Sequence, residues 1–508
     1  MSRAIHRAAN GTQYVYESKS YWDKQKKAPR TKQTYIGKID SQTGKLIRKR
    51  EPAESPEDFI PKVRTIGPLL LLGNAAKETG LTSILRKVFP DEWEDILTLA
   101  CYICHQGNAL SHCESWAKDH RVAGKLEFTS QNISRLLGKI RADDRQKFLA
   151  AWSSLFSERE MLCYDITSVS SYAQTMDFVR YGYNRDHDFL PQINLAMLYG
   201  QNSRLPAYYR FLPGSISDVS TLQKTVSQLN YADKVHLCLI MDMGFYSQDN
   251  VNTLYENKYK FLMGVPTGRK WVEEIIEPEW NSLNSPEHYG QLGSTPLFFM
   301  TVLRKWNGHR CYVHLFYNEH KKAQANDEFM NALLKYRDRR AKGLPEKDRN
   351  EFYERFLIVK ETPKRGLQVG YNDEAIAEYR ARHIGVFVLI SNYEKDAAAA
   401  LECYRNKDVV EKCFDDLKSE EDCKRLRMHS DELAENKMFL CFLALILRSR
   451  LSNDIRCNKE LVQLGIPRIL REMNTLREVT VEHRYRRAVT EPTRIQQLVL
   501  DTLRIKVP

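Results

Sequence analysis

Apolar and polar positions alternate near the start of the chain and then change period. Gln13-Tyr14-Val15-Tyr16-Glu17-Ser18 and Gln33-Thr34-Tyr35-Ile36-Gly37-Lys38 carry the two-residue period of strands. The intervening Lys24-Gln25-Lys26-Lys27-Ala28-Pro29-Arg30 is polar and holds a proline, so a β-hairpin with a cationic loop is predicted. Glu51-Pro52-Ala53-Glu54-Ser55-Pro56 reads as a linker. From about 66 to 157 the period becomes helical, most clearly in Leu81–Val88, Ile96–Ile103 and Ile133–Ile140.

Beyond residue 158 the texture is that of buried strands. Glu160 to Ser168 is apolar around Asp165, and Gln192–Tyr199 and Tyr208–Gly214 follow as second and third strands. His236-Leu237-Cys238-Leu239-Ile240-Met241-Asp242 is a fourth strand ending in a carboxylate, and Phe261–Val265 is a fifth. Three antiparallel strands followed by strand–helix–strand predict an α/β layer fold. Between 266 and 385 strand-like pieces (Leu297–Leu303, Cys311–Phe316) flank a charged helical stretch, which reads as an inserted subdomain. Val386–Asn392 returns to a strand and helices then run to about Asn453. The expected divisions are 1–52 (basic hairpin), 53–157 (helical), 158–265 (core, first part), 266–385 (insertion), 386–455 (core, second part) and 456–508 (helical tail).

Charge adds a partner class. The chain has 508 residues and a formal net charge of +12. Residues 1–50 alone hold 13 Lys or Arg against 3 Asp or Glu, so most of the excess sits there. Such an arm suits a polyanion, nucleic acid first of all. Thr129–Leu137 would serve either as a short helix entering a DNA groove or as plain packing. The cysteines number 11, an odd count, and no secretory segment opens the sequence, which implies reduced thiols and a cytoplasmic setting. Cys101-x-x-Cys104 with His105, His112 and Cys113 hints at zinc, but no second pair follows at finger spacing and the stretch reads as an apolar helix. The longest apolar run, Met438–Leu447, is too short for a bilayer of about 30 Å, so no membrane is expected.

Asp165 and Asp242 each lie at or near the end of an apolar strand. One such acid is ordinary; two in one sheet can converge, and converging carboxylates need cations. Hard oxygen ligands favour Mg²⁺ or Mn²⁺. On a helical wheel Tyr404, Lys407, Glu411, Asp415 and Lys418 share a stripe, while Val409, Val410, Cys413 and Leu417 face away. The same stripe would arise on a plain amphipathic helix with a solvated charged face.

Tyr404-x-x-Lys407-x-x-x-Glu411-x-x-x-x-x-x-Lys418 resembles the Y-(2)-R-(3)-E-(6)-K signature of bacterial insertion-sequence DDE transposases. Tyr164-Asp165-Ile166-Thr167-Ser168 is similar to their first-Asp segment, and Met241-Asp242-Met243-Gly244-Phe245 to the D-x-G-F/Y around their second. Pro213-Gly214-Ser215-Ile216-Ser217-Asp218-Val219-Ser220-Thr221-Leu222 is similar to their P-G-x-x-x-D-x-x-T-L segment. The resemblance spans roughly 160–450. It implies an α/β, RNase H-like mixed sheet with flanking helices, interrupted by an α+β insertion. It also implies two Mg²⁺ (or Mn²⁺) ions on Asp165, Asp242 and Glu411, and phosphate contacts from Tyr404, Arg405, Lys407 and Lys418. Cleavage and strand transfer of DNA element ends by a homodimer would follow. One departure stands out: Lys407 replaces the signature's arginine and loses its bidentate geometry, with Arg405 two residues earlier. A nuclease with the same core and a catalytically dead DNA-binding protein remain as alternatives. Trp271, Trp280 and Trp306 are candidates for stacking on an unpaired base, against core packing as the plain alternative.

Overall fold

The computed structural model describes residues 2–8, 11–23, 28–40, 44–48, 61–157, 159–173, 176–185, 189–228, 238–363, 366–381, 383–425, 427–428, 430–481 and 486–507. The chain divides into two compact units, Met1–Val63 with Val479–Ala488, and Arg64–Glu478 with Val489–Pro508.

In the first unit the alternating segments pair as expected, β2 (Gln13–Asp23) with β3 (Ala28–Ile39), and two further strands extend the hairpin. β1 (Ser2–Arg7) and β4 (Leu46–Arg48) flank it, giving an antiparallel sheet in the order β1-β2-β3-β4. Its hydrophobic content is thin. Val15 is buried, the rings of Tyr14 and Tyr16 each pack on Tyr35, and Tyr21 and Trp22 are exposed. Of the predicted loop 24–30, residues 24–27 lie outside the described residues and Ala28, Pro29 and Arg30 belong to β3 instead; the linker 51–56 also lies outside them.

The second unit is built on a nine-stranded sheet. β5 (Met161–Ser170), β6 (Gln192–Gly200) and β7 (Pro206–Pro213) form an antiparallel meander. On the other side of β5, β8 (Cys238–Met241) and β9 (Lys260–Val265) run parallel to it. Residues 236 and 237 of the predicted fourth strand lie outside the described residues. Every residue of β6 is buried, as continuous apolar runs require of a sheet covered on both faces.

The 266–385 stretch divides in two. β10 (Tyr289–Leu292), β11 (Thr295–Trp306) and β12 (His309–Tyr317) do not stand apart. They extend the main sheet, in which β12 pairs with β15 (Val386–Ser391) and β15 with β9. The edge of β15 carries unpaired backbone groups that need partners, and β12 supplies them. Residues 319–381 have their own small core instead. Phe329, Leu333, Tyr336, Phe356, Leu357 and Ile376 pack together beside the hairpin of β13 (Leu357–Thr362) and β14 (Gly366–Tyr371).

Helices between Gly67 and Ser153 share one hydrophobic core with the sheet. The reason is the helix Asp431–Ile455, buried at every position from Asn436 to Ser449. A helix apolar on all sides must be covered on all sides, and the earlier helices cover what the sheet does not. Among the described residues no helix is long and apolar enough to cross a membrane.

Candidate active site

The parallel pairing of β5 with β8 sets the first two carboxylates side by side. Tyr164 stands opposite Met241, so the next residues, Asp165 and Asp242, reach the same level of the sheet. Asp165 does not end its strand: β5 continues to Ser170 because it still pairs with β6 after β8 has stopped. Asp242 accepts from the backbone N–H of Met243 at 2.7 Å and caps the short 3₁₀ turn Met243–Phe245. The Pro213–Leu222 segment supports this level from behind. The Tyr164 hydroxyl donates to Thr221 Oγ1 at 3.1 Å from the helix Asp218–Gln228. The side chain of Asp218 lies outside what the structure describes.

The third acid arrives on a helix that is interrupted. Ala397–Arg405 and Asp408–Asp415 are separate helices, joined where Lys407 N–H bonds Tyr404 O and Val410 N–H bonds Lys407 O. These three-residue bonds tighten the chain locally, yet the tyrosine, lysine and glutamate still converge. The Tyr404 hydroxyl donates to Asp242 Oδ1 at 2.7 Å. Lys407 Nζ donates to Glu411 Oε1 at 3.0 Å and lies 3.9 Å from Asp242 Oδ2. Val410, Cys413 and Leu417 are buried on the opposite side, as the wheel predicted.

Past Asp415 the wheel holds for Leu417 but not for the exposure of Lys418. Asp416–Glu420 is a π-helical turn, whose wider winding breaks the 100° step. Lys418 falls in that turn and is buried rather than lining a common exposed stripe. Asp415 is exposed and has no hydrogen bond or ion pair among the described residues. Arg405 donates to the backbone of Leu292 at 2.8 Å and does not touch the carboxylates.

The electrostatics follow from one buried ammonium. Burial pushes the Asp165 carboxyl up to about 6, against the pull of Lys407, and the neighbouring charge of Asp242 raises it further. Burial works against a charged Lys407, but Asp165, Asp242 and Glu411 outweigh it and its pKa is raised. A cation thus sits among three carboxylates that come from two strands and a helix. Asp242 and Glu411 are half-exposed, so the cluster opens to solvent. The donor set, all hard carboxylate oxygen, fits Mg²⁺ or Mn²⁺. The three acids do not lie within 4.8 Å of one another as a ready-made metal cage does; Lys407 holds the space between them.

Residues 157–447 match the profile of the Transposase DDE domain family. The chain belongs to that family. No curated protein matches it. A solved structure of a piggyBac transposase synaptic complex with hairpin DNA resembles it at a TM-score of 0.40 and 11% identity, over 74% of this chain and 68% of that one.

The DDE domain also contains features that motif reading missed. Arg185, on the loop after β5, is an electrostatic neighbour that lowers the pKa of Asp165. Gly264 in β9 leaves room that a side chain would fill, since a Cβ there would meet both Met243 N and Tyr404 Oη at 2.9 Å. A cavity of about 520 Å³ adjoins Asp242 and Tyr404 and is bordered by Thr267, Lys321 and Arg405. A lysine on a later helix and a glycine on another strand carry no local signal of the site.

N-terminal to that domain, Trp93–Gln106 is a helix, as its apolar run predicted. Cys101, Cys104 and Cys113 are buried and are not gathered with His105 and His112 into a metal cluster, and His105 Nδ1 accepts from the Trp116 indole at 2.9 Å. Trp271 donates to Tyr246 at 2.8 Å and Trp306 to Asn252 at 2.8 Å, while Trp280 packs on Tyr317 and His383. All three tryptophans are half-buried, and Trp271 and Trp306 border a cavity of about 450 Å³. Four aromatics on the loop after β5, Tyr172, Tyr181, Tyr183 and Phe189, are strongly exposed.

Proposed function

We propose that this chain is a DNA transposase whose Asp165, Asp242 and Glu411 hold two Mg²⁺ or Mn²⁺ ions for cutting element ends and joining them to target DNA. The observation that carries the reading is the gathering of three carboxylates from β5, the end of β8 and the 408–415 helix around the Lys407 ammonium. The strand order β7-β6-β5-β8-β9, three antiparallel then two parallel, supports an RNase H-like core interrupted between β9 and β15. Bound ions would activate water or a 3′-hydroxyl and offset charge on the leaving oxygen.

The protein's own groups have distinct tasks. Tyr404 orients Asp242 through its hydroxyl on Oδ1, and Oδ2, which faces Lys407 at 3.9 Å, is the oxygen that would ligate. Lys407 keeps the three acids together at neutral pH. It takes the place of the signature arginine as a counter-ion to carboxylates, where a point charge suffices. Lys321 and Arg405, beside the cavity next to Asp242, are placed to receive backbone phosphates, and the basic first unit grips flanking duplex. One chain has one such carboxylate centre and an element has two ends, so a homodimer is the working form.

The test uses linear DNA carrying the ends that flank the chain's own gene. Cleavage and joined products in Mg²⁺ or Mn²⁺ support the proposal. Cleavage without joining would make the chain a nuclease, and binding without either would make it a DNA-binding protein.

A further inference from the structure

A second cluster of ionisable groups lies just beyond the helix that carries Glu411. Glu421, Cys423 and Cys441 place a carboxylate oxygen and two sulfurs within 4.8 Å of one another, all buried. Glu421 and Cys423 follow the π-helical turn; Cys441 is on the long helix Asp431–Ile455. The turn is held in place: Glu421 N–H bonds Asp416 O, and Cys423 N–H bonds Leu417 O. Asn108 braces it from the far side, donating to Asp422 O at 2.9 Å and to Cys423 Sγ at 3.4 Å. Gly107, at φ +92°, ends the preceding helix in a conformation that favours glycine and lies against Asp422.

Glu421 is what packing alone does not explain. It is fully buried, and both of its carboxylate oxygens lack a hydrogen-bond partner among the described residues. An unpaired buried carboxyl costs on the order of several kcal/mol whether charged or not, and natural sequences retain one where something binds it. It shares the cluster with two thiols, Cys423 Sγ lying 3.1 Å from Cys441 Sγ, while the nearby Arg448 guanidinium is occupied by Asp416 and Glu420.

We propose that Glu421, Cys423 and Cys441 form a structural zinc site that clamps the Glu411-bearing segment to the long helix. Two thiolates with one carboxylate suit a borderline-soft dication, and the sulfurs disfavour Mg²⁺. Binding releases the two thiol protons and any proton on Glu421, leaving three anionic donors against a 2+ ion. The residual negative charge meets Lys437, buried one turn before Cys441 on the same helix. Zinc–ligand bonds of about 2.0–2.3 Å place donors roughly 3.3–3.8 Å apart, so the sulfurs open slightly and the carboxylate closes by at most about 1.5 Å. A water or the Asn108 carbonyl oxygen, which is also buried and unpartnered, completes four ligands. A Cys423–Cys441 disulfide would leave Glu421 as it is, without a partner, which is why zinc accounts for more of the cluster. The site is independent of the reading of Asp165, Asp242 and Glu411.

The experiment is metal analysis of the full chain purified without chelator, alongside Asp165→Ala, Glu421→Gln, Cys441→Ser and Cys423→Ala/Cys441→Ala. About one zinc per chain is expected in wild type and in Asp165→Ala, with loss in the cysteine variants and an affinity weakened by about 10–100-fold in Glu421→Gln. Cobalt reconstitution should give a thiolate-to-metal charge-transfer band that Cys441→Ser removes. Glu421→Gln preserves shape, so circular dichroism checks that a loss is local. A chain that neither contains nor takes up zinc overturns the proposal. So does zinc retained in the double-cysteine variant, or a Cys423–Cys441 disulfide in the metal-free protein.

Discussion

The two largest sheets of this molecule answer to different constraints. The central sheet buries β6 at all positions and β5 at all but Met161 and Asp165. The N-terminal sheet exposes most of its residues, and its lysines and arginines, such as Arg3, Lys19, Arg30 and Lys32, point to water. A side chain on the first sheet has its position fixed by close packing on both faces. One on the second has charge and freedom. Catalytic groups need the former, since misplacement by about 1 Å can cost on the order of 10²-fold in rate. Phosphate contacts tolerate the latter, because Coulomb attraction is long-ranged and forgiving of geometry. Changes in the central sheet should therefore act as switches, and changes in the N-terminal sheet as graded, salt-dependent adjustments.

The largest expected effects are at the carboxylates. Asp165→Ala, Asp242→Ala and Glu411→Ala should each lower cleavage by on the order of 10³-fold or more while end binding stays nearly intact, because members of one constellation fail together. Gel-shift and cleavage assays on the same DNA separate the two readouts; residual cleavage near wild type in any variant removes that residue from the site. Asp415→Asn should cost far less than Glu411→Gln, because Glu411 and not Asp415 is tied to Lys407. Next comes Gly264→Ala, on a buried strand. Its methyl would press on Tyr404 Oη and Met243 N and push the tyrosine off Asp242. A fall of about 10²-fold in turnover with DNA affinity unchanged is expected. Unchanged turnover would mean that Tyr404 does not orient Asp242.

How much of this was legible in the sequence depends on which bonds make each feature. Apolar runs around Asp165 and up to Asp242 reveal strands because burial on two faces leaves a continuous hydrophobic record. Which strand lies beside which leaves none: the Tyr164–Met241 register is a long-range pairing. Tyr404, Lys407 and Glu411 were readable as one group because their spacing follows local winding, and small irregularities at Asn406 and Lys407 did not separate them. Lys418 was not, since the π turn that turns it inward depends on packing of Leu417 and on Arg448, which holds Asp416 at 2.8 Å and Glu420 at 3.1 Å. The strands from 289 to 317 were read as pieces of an insertion because nothing local distinguishes an added edge strand from a separate sheet.

The N-terminal sheet supplies a smaller, graded test. Deleting residues 1–50 should weaken DNA binding and flatten the dependence of log affinity on log salt by about 0.9 for each phosphate that the shortened chain no longer neutralises. Cleavage of DNA supplied at saturating concentration and low salt should survive. A salt slope equal to that of the full chain would assign the phosphate contacts to the central unit.

The smallest effect sets the two sheets apart by pH. His314 on β12 is fully buried; its Nδ1 bonds Thr301 at 2.9 Å and its Nε2 has no partner among the described residues. Burial holds its pKa down at about 4, against the opposing pull of Glu394 and Asp396. His105 is held at about 4 by burial and by His120. Between about 6.5 and 4 the unfolded chain takes up protons on these rings that the folded chain refuses. Their contribution is therefore complete above about 6.5 and is lost as pH falls toward 4. Asp165, raised to about 6, works the other way: below that pH the folded state binds a proton the unfolded state still lacks, so its protonation favours folding. The net slope mixes both signs, and a single melting curve would not separate them. The difference between wild type and His314→Gln does, because the substitution removes one imidazole and leaves Asp165 in place. His314→Gln should melt lower than wild type at pH 7.5, from imperfect packing, yet lose less stability on going to pH 5. The N-terminal sheet buries no histidine among its described residues, so its unfolding signal should not respond to the substitution at either pH. Parallel melting shifts for wild type and His314→Gln between the two pH values would show that the ring binds its proton equally in the folded and unfolded chains, so that burial does not hold its pKa down.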